Sequence, residues 1–129
     1  MLRAIFAVIV GYLLFATASI ALFAISGRDP YDAAPMWFLA SATVYGMVSS
    51  TAAGYLAAAL ARRSDLRVPA TVSVVIALGA LASLSAGTPG AHWTQWAAFA
   101  LMAPCALLGG GAWVSRHRRQ EAMSHRAPT

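Results

Sequence analysis

Apolar residues fill this chain in four long blocks, and the polar residues gather in the breaks between them. The blocks run from Ala4 to Ile25, from about Pro35 to Ala61, from Pro69 to Ala86 and from about Trp93 to Ser115. The hydrocarbon core of a bilayer is about 30 Å thick and is crossed by about 20 apolar residues, each adding about 1.5 Å of helix. Each block therefore predicts one transmembrane helix. The expected fold is all-α, a four-helix transmembrane bundle formed by residues 1–115 and followed by a basic tail over 116–129. The breaks carry helix signals. In "SGRDPYDAAP", Asp32 reads as an N-cap with Pro35 in the first turn, and in "GTPG", Thr88 reads as a cap with Pro89 at the first helical position. The tail "RHRRQEAMSHRAPT" is polar and is expected to leave the helix after its first turn.

The second block is built in an unusual way for a helix that leaves water. Residues four apart lie nearly above one another on a helix. Ala42, Gly46, Ser50, Gly54 and Ala58 thus form one ridge of small residues, and Ser41, Tyr45, Ser49, Ala53, Ala57 and Ala61 form its neighbour. Val44, Val48, Leu56 and Leu60 make a bulkier face suited to lipid. Lipid tails are as apolar as leucine, so helices within a bilayer gain little by hiding hydrophobic surface and gain more from close packing. Span two is therefore expected at the centre of the bundle. Shorter ladders occur at Gly79, Ser83 and Gly87 on span three, at Ala106 and Gly110 on span four, and at Ala7 and Gly11 on span one.

Composition agrees with the pattern. The chain of 129 residues is 60% hydrophobic and 10% charged, with mean hydropathy +0.67, against roughly 45–50% apolar and 25% charged in soluble domains. Its net charge is +5, but the arginines sit at the ends of the apolar blocks instead of covering one solvated face, so nucleic acid is not the expected partner. Eight of the nine arginines, namely Arg3, Arg62, Arg63, Arg67, Arg116, Arg118, Arg119 and Arg126, fall on the side that holds both termini and the middle loop, and only Arg28 falls opposite. Positive residues near span ends stay on the cytoplasmic side. Both termini are accordingly expected in the cytoplasm, with Trp37, Trp93 and Trp96 at the outer headgroup level and Trp113 at the inner one. The opening "MLRAIFAVIVGYLLFATAS" has features of a cleaved leader. Its apolar run continues to Ile25, and removal would leave the charge pattern unexplained, so it is read as a span.

Candidate chemistry is sparse. No Asp, Glu, Lys or Arg lies inside any of the four blocks, whereas ion-coupled transporters commonly mark their path with such residues. Small multidrug transporters are similar in size and span number, but that resemblance implies a glutamate in the first span, and no acidic residue precedes Asp29. Small four-span fluoride channels use an asparagine, which this chain lacks. Pro104, in the middle of span four, predicts a kink, and Cys105 beside it reads as a small buried hydrophobe. "LLGGG" reads as a packing notch, since no GK[ST] follows to make a phosphate loop. Asp29, Asp32 and His92 lie in the two outer breaks, but they are too few and too ill-spaced for a metal site. Tyr12, Tyr45 and Tyr55 read as packing residues, and Ser49, Ser50 and Thr51 either line a polar path or bond between helices.

The ends "AAGYLAAALARR" and "PCALLGGGAWVSRHRR" resemble the corresponding span ends of small, uncharacterised bacterial four-span inner-membrane proteins. That resemblance implies a fold and no activity. The function expected is a non-enzymatic component of the bacterial inner (plasma) membrane, without a cofactor or metal. It would act through helix packing at Gly46, Ser50, Gly54, Ala58, Gly79, Ser83 and Gly110. Arg62, Arg63, Arg67, Arg116, Arg118 and Arg119 would meet anionic headgroups, and self-association or a larger membrane complex would supply protein partners. The alternative is a small channel or transporter for an uncharged or weakly polar solute, using the Ser/Thr side of span two.

Overall fold

The computed structural model describes residues 2–29, 33–62, 66–85 and 92–124. Among these, every long element is helical: α1 (Leu2–Ser26), α2 (Met36–Ala61), α3 (Arg67–Ser85), α4 (Trp93–Ala97), a π turn (Ala98–Met102) and α5 (Ala103–Ser124). The last three run on as one rod, so the molecule has four helices long and apolar enough to cross a membrane, as a multi-pass membrane protein requires. Successive helices alternate in direction. α2 touches every other helix, whereas α1 and the fourth span stand on opposite corners without meeting.

The helix ends follow from their residues. Gly27 takes the left-handed conformation (φ 63°) just beyond α1, and the Arg28 N–H returns to the Phe23 carbonyl, the geometry of a glycine C-cap. Arg62 does the same for α2 at φ 49°, with its N–H shared by the carbonyls of Ala58 and Ala59. Pro35 is the N-cap of α2, one residue earlier than the first-turn position expected of it. A proline has no N–H to give, and here its carbonyl accepts from Phe38 and Leu39, at 2.9 and 3.2 Å. Asp32, Thr88 and Pro89, also read as caps or helix starts, lie outside the described residues.

Two ends of the bundle differ in character. At the basic end, Arg3 donates from Nε to the Leu60 carbonyl (3.0 Å), tying the start of α1 to the finish of α2. Arg62, Arg67, Arg116, Arg118 and Arg119 are exposed there. At the aromatic end, the Phe23 ring meets Phe38 edge-on, Trp37 packs against Phe38, and the Arg28 guanidinium lies 5.0 Å from the centre of the Phe38 ring. Arg63 and Arg126 are outside the described residues.

The fourth span carries two features that the sequence reading did not foresee. Beside Pro104, where a kink was expected, it carries a widened turn over Ala98–Met102, with the Ala103 N–H bonded to the Ala98 carbonyl. Proline both lacks an N–H and crowds the carbonyl four residues before it, and the wider turn absorbs both effects. The helix also continues to Ser124 through the first nine residues of the segment read as a loose tail. Trp113 stacks on His117 at 4.7 Å, and His117 pairs with Glu121 at 3.4 Å one turn further on.

Candidate functional site: a half-open bundle

The small residues of α2 do different work along its length. Ala42, Gly46, Ser50, Gly54 and Ala58 are all buried. Of the neighbouring ridge, Ala53, Ala57 and Ala61 are buried, while Ser41 and Tyr45 are exposed. Val44 and Val48 face outward, and Leu60 is half-buried against the core formed with Ala7, Ala57, Val72 and Ala106. In the basic half the contacts are backbone to backbone. A Cβ placed on Gly54 would strike the Ala106 carbonyl, and one placed on Gly109 would strike the carbonyl of Thr51. The two helices thus each supply a glycine to the same crossing. A Cβ on Gly110 would meet the Pro69 ring of α3, and one on Gly11 of α1 would lie 3.0 Å from both the Ala53 oxygen and the Ala57 Cβ. All four helices close on this level.

Nearer the aromatic end the helices part. Gly46 is covered by the flexible side chain of Met102, which descends from the π turn. Above it lies a cavity of about 340 Å³ with walls from all four spans. Tyr12, Ile76 and Met102 line its deep part, and Ser19, Phe23, Ser83 and Gln95 border both it and a second, shallower void that reaches Gly27, Arg28 and Asp29. The first volume lies at the lower end of the 300–1,000 Å³ usual for small-molecule sites.

Gly79 and Ser83 stand at the edge of a space and not at a helix crossing. They were expected to pack helices together, yet both are half-buried and line this cavity. A Cβ on Gly79 would find only the Tyr12 hydroxyl, 3.6 Å away. Contact between α3 and its neighbours comes instead from Val68, Pro69, Val72, Ile76 and Ala80, a bulky buried ridge, and from the Ser73 hydroxyl, which donates to the Ala103 carbonyl at 2.6 Å. Gly87 is outside the described residues.

The polar groups of the cavity are not those of the serine-threonine run. Ser49, Ser50 and Thr51 donate to carbonyls of their own helix, at Gly46, Met47 and Met47, and none of them lines the cavity. From α2 it is Thr43 and Tyr45 that do. Ser19, Thr43 and Ser83 likewise spend their hydroxyl hydrogens on Phe15, Leu39 and Gly79. Gln95 is different. It is 6% exposed, its Oε1 accepts from the Thr94 hydroxyl at 2.9 Å, and its Nε2 meets no partner among the described residues. Gln95 carries no formal charge and so does not stand out among the ionisable residues of the sequence. The available signal was an amide inside the apolar run "HWTQWAAFAL".

The other candidates among the described residues do not assemble into a site. Among the described residues, no three His, Cys, Asp or Glu side chains come together at metal-binding distances. His92 caps α4 without a side-chain bond to it, and its buried Nδ1 meets no partner among the described residues. Cys105 is a half-buried free thiol. Comparison with protein-family models, curated proteins and solved structures finds no match to this chain.

Proposed function

We propose that the chain is a non-enzymatic component of a bacterial inner membrane, crossing it four times with both termini in the cytoplasm. It works through the packing of its helices and through lipid and protein contacts at the basic end, and it does not form an open pore. The observation that carries this reading is the glycine-mediated closure of the basic half, where α2 and α5 meet backbone to backbone at Gly54 and Gly109. A continuous water path would have to part helices that touch without side chains between them. The exposed Arg62, Arg67, Arg116, Arg118 and Arg119 fit an anionic surface, each contributing about 1 kcal/mol near it. Their bias to one end supports the orientation, and a second copy or a larger membrane complex would dock beside them.

Vesicles reconstituted with the protein test the reading. In stopped-flow swelling, glycerol permeability should equal that of protein-free vesicles, and a protein-dependent rise that survives control reconstitutions would overturn it. Crosslinking in native membranes then identifies the partner. The second reading, a carrier for an uncharged or weakly polar solute, is favoured by the cavity of the aromatic half. That cavity is open toward one end and shut toward the other, as a carrier in one of its states is. Saturable, protein-dependent uptake in the same vesicles would decide for it.

A further inference from the structure

We propose that the cavity of the aromatic half is a binding site for a small uncharged amphiphile, an apolar body bearing a hydrogen-bond-accepting oxygen, which the Nε2 amide of Gln95 holds. The inference rests on the cavity and on Gln95, and it stands whether the protein conducts, carries or only holds the molecule.

Three observations converge. The cavity is large enough for a small molecule and mostly apolar, with Phe15, Ile76 and Met102 among its walls. Among the described residues no carboxylate, guanidinium or imidazole lines it, so an ion would leave water without compensation from them and an uncharged guest would not. At the level where it meets the shallower void stands Gln95, more than nine-tenths buried, with Oε1 engaged by Thr94 and Nε2 unengaged. Nε2 is not sealed off by protein atoms but keeps access to the void, and in so apolar a surrounding a guest's carbonyl, ether or hydroxyl oxygen supplies the acceptor that the described residues do not. The guest is thereby oriented, oxygen toward the aromatic end and apolar body down toward Tyr12 and Met102. Access is from the aromatic end, past Ser19, Phe23 and Ser83, because the opposite end is closed by Gly54 and Gly109.

Benzophenone is a suitable probe, being uncharged and apolar, with one carbonyl oxygen, and inserting on irradiation into nearby C–H bonds. In the full chain in nanodiscs, labelling should saturate and map to Met102 and its cavity neighbours. Gln95→Leu should raise the half-saturating concentration about tenfold, the worth of one ordinary hydrogen bond. Gly79→Leu, whose side chain has room to enter the cavity, should abolish the saturable labelling while leaving the thermal unfolding midpoint close to that of the parent. Should Gln95→Leu fail to fold, competition in the unaltered protein decides. Fluorenone, which keeps the oxygen, should protect Met102 about tenfold better than diphenylmethane, which lacks it. Non-saturating label spread over outward-facing Val44 and Val48, an unchanged response in folded Gln95→Leu, or equal protection by the two competitors would each overturn the proposal.

Discussion

The basic half and the aromatic half of the bundle are made from the same four helices and much the same residue types, yet one is closed and the other hollow. In the basic half, Gly54 faces the backbone of Ala106 and Gly109 faces that of Thr51. Two turns toward the aromatic end, Gly46 faces only the side chain of Met102, and across the cavity Gly79 faces nothing nearer than a phenol hydroxyl. A glycine in a membrane helix is therefore not a packing device in itself. What stands opposite decides whether the missing side chain becomes a contact or a space.

The same substitution at three of these glycines tests the contrast. Alanine favours helix over glycine by about 1 kcal/mol, so any loss is seen against that gain. Gly54→Ala should have the largest effect, a loss of about 3 kcal/mol or more, because the added carbon meets a carbonyl fixed in another helix. Reversible unfolding in mixed micelles measures it. Gly46→Ala should cost less, about 1 kcal/mol, since the flexible Met102 side chain can swing aside at modest strain. In a Met102→Ala background that cost should vanish, and a double-mutant cycle reads the coupling directly. Gly79→Ala should be neutral or stabilising by up to about 1 kcal/mol. Equal losses at Gly54 and Gly79 would erase the distinction between the halves. A smaller comparison sharpens it: Ser73→Ala should cost about 1 kcal/mol or less, the usual worth of a hydrogen bond between membrane helices, by removing the bond to Ala103.

Much of the closed half was legible in the sequence. Ser50, Gly54 and Ala58, the part of the small-residue ridge that lies there, repeat every four residues, and a helix turns such a repeat into one face without help from any other part of the chain. Ala7 and Gly11, the two small residues noted on the first span, are the buried residues of α1. The cavity was not legible, because it depends on which residues of α4 and the π turn come to stand across from Gly79 and Ser83. That is set by the tilt and register of whole helices. Pro104 signalled a disturbance in the fourth span, but proline fixes the missing hydrogen bond and not the way neighbouring turns accommodate it, so the widened turn before it was not foreseen. The helix beyond Ser115 had a local signal in His117 and Glu121 four apart, outweighed in the reading by the polarity of the segment.

The fourth span, from Trp93 to Ser124, is 32 residues long, about 48 Å at the usual helical rise. A hydrocarbon core of about 30 Å leaves several turns standing clear of it, and Arg116, Arg118 and Arg119 lie on that stub. The stub continues without a break through Gly109, Cys105 and the π turn to Gln95. A partner gripping it would hold a stiff handle whose far end is a wall of the hollow, and a twist applied at one face of the membrane would be felt at the other.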